Sequence, residues 1–264
     1  MTNKQLTQTG TLFLIVFTSI SLHAAPAPII TSTMDADMIN KSPGIGFTIS
    51  TAQRPFIGVD DQNTSLPYFS YRYKDFYIES LDIGYNITRQ KRFSLDVLAT
   101  PRFYERKDSF ANNGELEGIS TTSETYLAGI SSQFHMDYGV LTFQLLYDVI
   151  ESNGIEAVAV ASKTFDVTKT FKFTPSIGLS YQDAKLVDHF YGVESDETKI
   201  GRPAYDGEPS LNYNVTFNAS WEVHEHIELL GQFKYEWLGD GISDSSIVDE
   251  DSLYFFTAGV VFRY

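Results

Sequence analysis

The sequence contains no cysteine and only 2 tryptophans, and it is poor in basic residues, with 19 Lys and Arg against 34 Asp and Glu. The absence of cysteine excludes a disulfide framework, a thiolate metal site and a lipid-modified cysteine anchor. The formal net charge of −15 argues against nucleic acid as a partner, because phosphate binding requires a clustered basic surface. No apolar run reaches the roughly 20 residues that a membrane-spanning helix needs.

The amino-terminal segment has the pattern of a cleaved export signal. Lys4 precedes an apolar run over residues 11–22, and small residues follow at Ala24 and Ala25. This order of basic start, short apolar stretch and small residues predicts a signal peptide over residues 1–24, with cleavage after Ala24 or Ala25. Residues 25–43 show no clear periodicity, and we expect them to form a periplasmic amino-terminal extension.

The stretch from Leu253 to Tyr264 is the most informative part of the chain. Alternate positions carry apolar or aromatic side chains, so a strand here presents one continuous apolar face. The aromatic ending resembles the assembly signal of bacterial outer-membrane barrels, carried by Phe256, Val260, Phe262 and Tyr264. Arg263 should face the lumen and matter less for assembly. An edge strand of a soluble sandwich is the alternative that this stretch leaves open.

The same alternation recurs along the chain in eleven segments, most of them about 10 to 12 residues long, which matches tilted membrane strands. Aromatic residues gather at segment ends, as at Tyr181, Trp221 and Trp237. With the export signal, this pattern predicts an all-β fold, a transmembrane antiparallel up-and-down β-barrel over residues 44–264.

The number of strands follows from parity. Bacterial single-chain barrels have even numbers of strands, so eleven segments leave one missing, and we predict twelve, with ten as the alternative. The missing strand is expected at residues 28–39 or around Phe56 to Val59. A phase slip between Phe76 and Ile87 is interpreted as a β-bulge near Ser80. Pro101 suggests the end of a strand or a distortion.

Loop lengths predict which end of the barrel faces outward. The long polar connections 104–123, 183–210 and 238–252 are assigned to the outside together with the turn 151–154, and the short turns to the periplasm. The last long loop forms an acidic rim, which could bind Ca²⁺ or Mg²⁺ but lacks the spacing of a calcium loop, so a solvated rim is favoured. Its carboxylates are Asp240, Asp244, Asp249, Glu250 and Asp251.

The five histidines do not form a recognisable catalytic or metal motif. His224 and His226 flank Glu225 in a predicted turn rather than on a helix, which differs from the zinc-protease pattern. His135 is predicted to face the lumen and His189 to lie in an outer loop, without an identifiable nucleophile beside either. The sequence therefore predicts no catalytic residues, no metal site and no cofactor.

Several short motifs occur in a fixed order along the mature chain. They are the run from Arg54 to Asp61, Pro67 with Tyr71, the run Tyr191 to Val193, the loop residues Gly201, Arg202, Pro203, Ala204, Tyr205 and Asp206, and the ending Val261 to Tyr264. In these motifs the chain resembles the MipA/OmpV family of outer-membrane proteins. The resemblance carries no partner-binding residues over to this chain.

The resemblance implies a non-enzymatic scaffold that joins a lytic transglycosylase to a penicillin-binding synthase, whereas other members look like osmotically regulated proteins or adhesins. Outer-membrane lipid, lipopolysaccharide and the barrel-assembly machinery are the other expected partners, in the outer membrane of a Gram-negative bacterium. A small-solute channel and an outer-membrane hydrolase remain as alternatives, because the predicted lumen is polar and twelve strands lie between filled and open barrels.

Overall fold

The protein is described by a computed structural model over residues 42–102, 114–120 and 125–264. The predicted signal peptide and all but the last two residues of the predicted extension lie outside these described residues. Within them, each strand pairs antiparallel with the next strand in sequence, and the last pairs with the first. The chain therefore forms a closed, twelve-stranded antiparallel β-barrel of the up-and-down type, as predicted.

The strands are numbered here in chain order. They are β1 Gly44–Ala52, β2 Gln62–Tyr73, β3 Phe76–Glu79, β4 Asp82–Gln90, β5 Phe93–Arg102, β6 Thr125–Met136, β7 Gly139–Asp148, β8 Ile155–Ser162, β9 Phe171–Gln182, β10 Ser210–His224, β11 Ile227–Trp237 and β12 Ser252–Arg263. A two-residue piece, Phe165–Asp166, continues β8 and pairs with β9 in the same register. The barrel closes at a seam between β1 and β12, which runs from the pair Gly44 and Arg263 to the pair Ala52 and Phe255.

The two faces of the wall have the polarity of a membrane barrel. Large apolar side chains point outward and are exposed, for example Ile49 at 52% and Phe256 at 51%. Polar side chains point inward and are buried, for example Thr216 at 4% and Gln232 at 4%. A soluble sandwich would carry the opposite arrangement. The sandwich alternative is therefore wrong, and the barrel lies in the outer membrane.

Helices are few. The loops carry α1 Ala184–Tyr191, the 3₁₀ turn Ser195–Glu197 and α2 Asp240–Ser243. In the described part of the chain, each helix is too short and too polar to cross a membrane.

The twelfth strand lies where the sequence suggested a bulge. The segment from Phe76 to Ile87 is not one bulged strand but the hairpin β3–β4, which turns at Ser80 with a left-handed φ of 56°. A one-residue phase change can mark either a bulge or a tight turn, and here the short polar stretch around Ser80 forms the turn. Of the two predicted locations, Phe56 to Val59 lies in a loop and residues 28–39 lie outside the described residues.

Because β3 is only four residues long, the wall is low between β2 and β5. β2 pairs with β3 only from Ser70 onward, and β5 pairs with β4 only up to Ala99. Beyond these points, towards the long loops, the facing edges of β2 and β5 have no strand partner among the described residues. We call this gap the notch.

A proline lies on each edge of the notch. The Phe69 carbonyl accepts a hydrogen bond from the Ser80 amide at 2.7 Å, so the alternate residue Pro67 also turns its nitrogen towards the notch. By the same alternation the backbone N–H and C=O groups of Thr100 and Arg102 point towards β6. The backbone nitrogen of Pro101 therefore points towards the notch. Proline lacks the N–H that a neighbouring strand would bond, so it belongs on such an edge. This explains Pro101, which lies one residue before the end of β5.

The connections divide into two rims. One rim, here the loop rim, carries the segments 53–61, 80–81, 103–124, 149–154, 183–209 and 238–251, of which 103–113 and 121–124 are not described. The other, the turn rim, carries the short turns 74–75, 91–92, 137–138, 163–170 and 225–226. This division agrees with the predicted grouping of long and short connections. The assignment of the loop rim to the cell exterior stays a prediction.

Candidate functional site

The long connections of the loop rim pack into one folded unit, which we call the cap. It consists of the segments 53–61, 114–120, 183–209 and 238–251, and it shares a single buried hydrophobic core. That core also includes inward-facing Leu127 and Leu146 of the wall, so the cap is seated in the loop-side mouth of the barrel. The cap residues of the core are Phe56, Leu116, Ile119, Leu186, Val187, Phe190, Tyr191, Val193, Ile242, Ile247 and Val248.

Helix α1 supplies the largest share of this core. Its first turn is capped by the Asp183 side chain, which accepts a hydrogen bond from the Leu186 amide at 3.0 Å. Leu186, Val187, Phe190 and Tyr191 have the spacing of one helical face, and all four are buried. The capping aspartate and this spacing are a sequence signal for a helix inside the loop, which the sequence analysis missed.

Arg202, from the predicted family-motif loop, fastens the cap together. Its guanidinium is 4% exposed and donates to three backbone carbonyls: Glu115 at 2.6 Å, Glu117 at 3.2 Å and Glu197, which Nε reaches at 3.0 Å. Two segments that are more than 80 residues apart in sequence are thereby joined. A planar guanidinium with five fixed donors suits this role better than lysine does.

The same contact is strengthened from the other side by Glu197. Its carboxylate is 7% exposed and accepts from the Ser120 amide at 2.6 Å and from the Glu194 amide at 3.0 Å. Lys199 donates to the Glu117 carbonyl and approaches the Glu117 carboxylate at 3.8 Å. Charge-assisted hydrogen bonds of this kind are stronger than neutral ones. The segment 114–120 is therefore held by side chains and not by strand pairing.

The remaining residues of the family-motif loop join the cap to its last segment. The Tyr205 hydroxyl donates to the Gly241 carbonyl at 2.9 Å, and the Pro203 carbonyl accepts from Ser246 Oγ at 2.7 Å. Gly201 adopts a left-handed φ of 88°, which allows the tight turn before Arg202. Asp206 is exposed. Burial raises the pKa of Tyr205 above its ordinary value, and the nearby carboxylates of Glu208, Asp244 and Asp188 act in the same direction.

The first family motif, from Arg54 to Asp61, also belongs to the cap. The Ile57 amide donates to the Ile247 carbonyl at 3.1 Å, and the Asp249 amide donates to the Pro55 carbonyl at 3.0 Å. Phe56 packs on Tyr191 with ring centroids 5.8 Å apart. Motifs that lie about 140 residues apart in sequence thus meet in one core, which gives their order and spacing a structural reason.

The predicted acidic rim lies on the outer surface of the cap. Asp240, Asp244, Asp249 and Asp251 are exposed, and Glu250 is half-buried. Across residues 42–102, 114–120 and 125–264, no three His, Cys, Asp or Glu side chains converge in a way that could hold a metal ion. The arrangement within these residues is that of a solvated carboxylate surface.

The four described histidines lie at three separate places, one in the cap and two at the turn rim, and His224 and His226 share one of these places with ring centroids 6.0 Å apart. His23 lies outside the described residues. His189 is on α1, with its ring edge against Phe190 at 4.7 Å between centroids. His135 is at the turn-rim end of β6, and its amide donates to the Arg92 carbonyl at 3.0 Å. His224 and His226 flank an exposed turn, where a ring nitrogen of His226 lies 3.0 Å from the Arg263 carbonyl. Alternation along β6 places His135 on the lumen side, as predicted.

Among the described residues, the two ion pairs whose side chains are all at most a tenth exposed lie on the inner wall, one near each rim. Near the loop rim Arg102 Nη2 bonds Glu156 Oε2 at 2.6 Å, with side chains 7% and 6% exposed. Near the turn rim Arg263 Nε bonds Glu228 Oε2 at 2.5 Å, with side chains 10% and 1% exposed. Arg263 faces the lumen as predicted. Its burial with Glu228 leads us to expect that it stabilises the wall, whereas the sequence alone predicts that it matters less than its outward neighbours.

The residues proposed as the assembly signal share the outward face of β12. Phe256, Val260 and Phe262 are exposed on the wall, and Tyr264 follows the strand with its amide bonded to the Pro43 carbonyl at 3.1 Å. The Phe262 and Tyr264 rings meet edge to face at 5.3 Å. Their placement agrees with the predicted phase, and their role in assembly stays a prediction.

The family model described as MltA-interacting protein MipA matches residues 45–264, nearly all of the described chain. The chain belongs to this family. The cap and all twelve strands fall within the matched range, apart from Gly44, the first residue of β1.

Curated relatives of this MipA-family chain cover most of it at low identity. The putative outer membrane protein YiaT of Escherichia coli K12 is 22% identical over 222 residues, which is 83% of this chain and 90% of the relative. The MltA-interacting protein of Escherichia coli K12 is 23% identical over 231 residues, with coverages of 83% and 89%.

Solved barrels resemble this MipA-family chain in fold only. The NanC porin overlaps 83% of this chain and 100% of its own, with 8% identity and a TM-score of 0.48. The translocator domain of the autotransporter NalP from Neisseria meningitidis overlaps 87% of this chain and 92% of its own, with 10% identity and a TM-score of 0.46. Neither likeness bears on function.

Proposed function

We propose that the protein is a non-enzymatic envelope scaffold, anchored by its barrel in the outer membrane, that holds murein-processing enzymes at the membrane surface. This proposal rests on the cap. Its hydrophobic core occupies the loop-side mouth of the barrel, whereas the mouth of an open channel would be filled with water. A relative with 23% identity is named MltA-interacting protein, and other relatives are named as outer membrane proteins and not as enzymes.

The inner wall supports an anchor more than a wide channel. Several inward polar side chains are bonded to one another, either between neighbouring strands or along one strand. Gln232 Nε2 donates to Asn218 Oδ1 at 2.8 Å, and Lys234 Nζ donates to Glu236 Oε2 at 3.0 Å. Both partners of the first pair are less than a tenth exposed. Polar groups that satisfy one another in this way stabilise a filled interior.

A murein partner is expected to bind at the turn rim. If the long loops face outward, this rim faces the periplasm, where murein lies. Its described turns carry Lys74, Lys91, Arg92, Lys163 and Lys169 against four carboxylates. The acidic cap would repel an acidic partner surface. The turn rim, with one more cation than carboxylates, would not.

The test is co-purification from detergent-solubilised envelopes. The proposal expects tagged protein to retain murein hydrolase activity, measured on isolated sacculi, and a penicillin-binding synthase, detected with fluorescent penicillin. The pair of changes Lys91→Glu and Arg92→Glu at the turn rim should reduce both signals, whereas Asp249→Lys on the cap should leave them unchanged. Wild-type protein that retains neither signal would rule the scaffold out.

A channel is the second candidate, because the lumen wall is polar at Asn212, Asn218 and Gln232. Single-channel recordings of purified protein separate the two functions. With the cap folded, the scaffold proposal expects no discrete conductance steps. Discrete steps from the unaltered protein would favour the channel.

A further inference from the structure

One strand of the wall reverses the usual distribution of side-chain size. In β8 the valines Val158 and Val160 face the lumen and are buried, while Ala157, Ala159 and Ala161 face outward. The adjacent strands carry large outward side chains, with Leu141, Phe143 and Leu145 on β7 and Ile177, Leu179 and Tyr181 on β9. Short side chains between two rows of long ones leave a groove on the lipid-facing surface.

The groove deepens near the turn rim into a cavity of about 350 Å³. It is lined mainly by apolar side chains, which include Leu141, Ala161, Pro175, Ile177, Val215 and Phe217. The cavity lies where regular β8 pairing stops at Ser162 and the chain continues into Lys163.

Lys163 borders the turn-rim end of this cavity. Its side chain is exposed, and its ammonium lies 5.4 Å from the centroid of the Phe165 ring, which also faces outward. The neighbouring carboxylates are engaged elsewhere, since Asp166 is 3.8 Å from Lys172 and Asp137 is 3.6 Å from Arg92. A lysine at the end of an apolar wall surface places its charge at the level of the lipid headgroups.

We propose that this groove binds one phospholipid of the leaflet at the turn rim, with an acyl chain in the cavity and the phosphate at the Lys163 ammonium. The apolar lining matches the chain, and the lysine matches the anionic phosphate. A second copy of the protein fits less well. A two-fold contact centred on the groove would bring two Lys163 side chains together, and like charges repel.

The test measures phospholipid retained by full-length protein after purification in a mild detergent, with added phosphatidylglycerol as the probe and native mass spectrometry as the readout. Ala161→Phe fills the cavity, and Lys163→Glu reverses the charge. Lys163→Glu should lower the bound fraction about fivefold or more, the effect expected of one lysine near an anionic headgroup. Ala161→Phe should also lower it, because the ring takes the place of the acyl chain.

Two control variants make the same changes outside the groove. Ala258→Phe adds the same ring to the outward face of β12, on another part of the wall. Lys169→Glu reverses a charge on the same turn as Lys163 but outside the cavity. Both should keep wild-type binding. If Ala161→Phe fails to fold, as judged by loss of heat-modifiable migration, Ala161→Leu takes its place.

If Lys163→Glu retains as much phosphatidylglycerol as the wild type, the proposed phosphate site is wrong. Equal losses in the target and control variants would show that binding is not local to the groove, and would overturn the proposal as well. A cavity variant that turns a dimer into a monomer without loss of lipid would identify the groove as a contact between copies, and would equally reject it.

Discussion

The two rims of this barrel share the same wall but differ in almost every other respect. The described segments of the loop rim carry seventeen carboxylates and four cations, whereas the turns of the other rim carry four carboxylates and five cations. The loop rim has a buried hydrophobic core of its own, whereas most connections of the turn rim are tight turns of about two residues. The barrel wall thus supports a small folded unit at one end and little more than chain reversals at the other.

This difference separates two kinds of stability. The wall is held by continuous strand pairing, whereas the cap is held by a few side chains and one apolar core. Regions that depend on fewer contacts open at lower free energy than the pairing of a closed sheet. Changes in the cap should therefore affect protease sensitivity before they affect the barrel, and changes in the wall should affect both.

The largest effect is expected for Arg263→Ala. Removal of one partner of a buried ion pair leaves Glu228 charged and buried, which costs about 3–5 kcal/mol. The measurement is the heat-modifiable fraction in outer-membrane preparations, where unboiled barrels migrate faster than boiled protein. Adding Glu228→Gln should restore part of the loss. Arg102→Ala beneath the cap is the matching change at the other rim, and a much smaller effect there would mean that the two ends of the wall are not equivalent.

Next in size is Val260→Arg on the outward face of β12. An arginine at the membrane midplane costs about 2–4 kcal/mol, and the cost falls towards zero at the interface. Val260 lies deeper from the turn rim than Phe262, so Phe262→Arg should be milder in the same heat-modification assay. If Phe262→Arg proves more damaging, the membrane boundary at the turn rim is misplaced or the residue acts as an assembly signal.

Arg202→Ala should release the cap and leave the wall intact. The guanidinium holds three backbone carbonyls, and each hydrogen bond to a charged group contributes about 1.5–3 kcal/mol. Limited proteolysis of folded protein should therefore cleave within 183–209 or 238–251 more rapidly, with unchanged heat modification. Asp249→Asn, on the cap surface, serves as control and should alter neither. Loss of heat modification in Arg202→Ala would show that cap and wall fold as one unit.

The smallest effect is expected for Tyr205→Phe, at about 1 kcal/mol for one hydrogen bond. Burial raises the pKa of the hydroxyl. The contribution of the neutral hydroxyl to the stability of the cap is therefore complete below the ordinary tyrosine pKa of about 10, and it is lost as the pH rises through the higher pKa of the folded protein. Protease resistance of the cap should fall above that pH in the wild type more than in Tyr205→Phe. Equal pH dependence in both proteins would assign the change to another group.

Alternation made the wall predictable from sequence, because a strand that separates lipid from lumen must change polarity at every residue. The even strand number was also predictable, although the position of the extra strand was not. Around Ser80 both a bulge and a turn shift the phase by one residue, and only the pairing of β3 with β4 distinguishes them. For β8 the alternation does not predict which residues face the lumen, because alanine and valine are both apolar.

The cap was largely hidden from sequence-based reasoning. The carboxylates of its last segment were predicted to form a solvated rim, and Asp244 and Asp249 are exposed, whereas Glu197 and Arg202 of the segment 183–209 are buried. Which charges are buried depends on contacts between segments far apart in the chain, and local spacing does not encode them. The capping aspartate and apolar spacing of α1 were the one local signal available.

The seam between β1 and β12 has a kinetic consequence. The first and last described strands can pair only after the whole wall between them has been laid out, so closure is the contact of greatest sequence separation and should come late in folding. Until then both strands expose free edges that could pair with other chains. A short residence time in the half-closed state should therefore be as important to the yield of assembled protein as the stability of the finished ring.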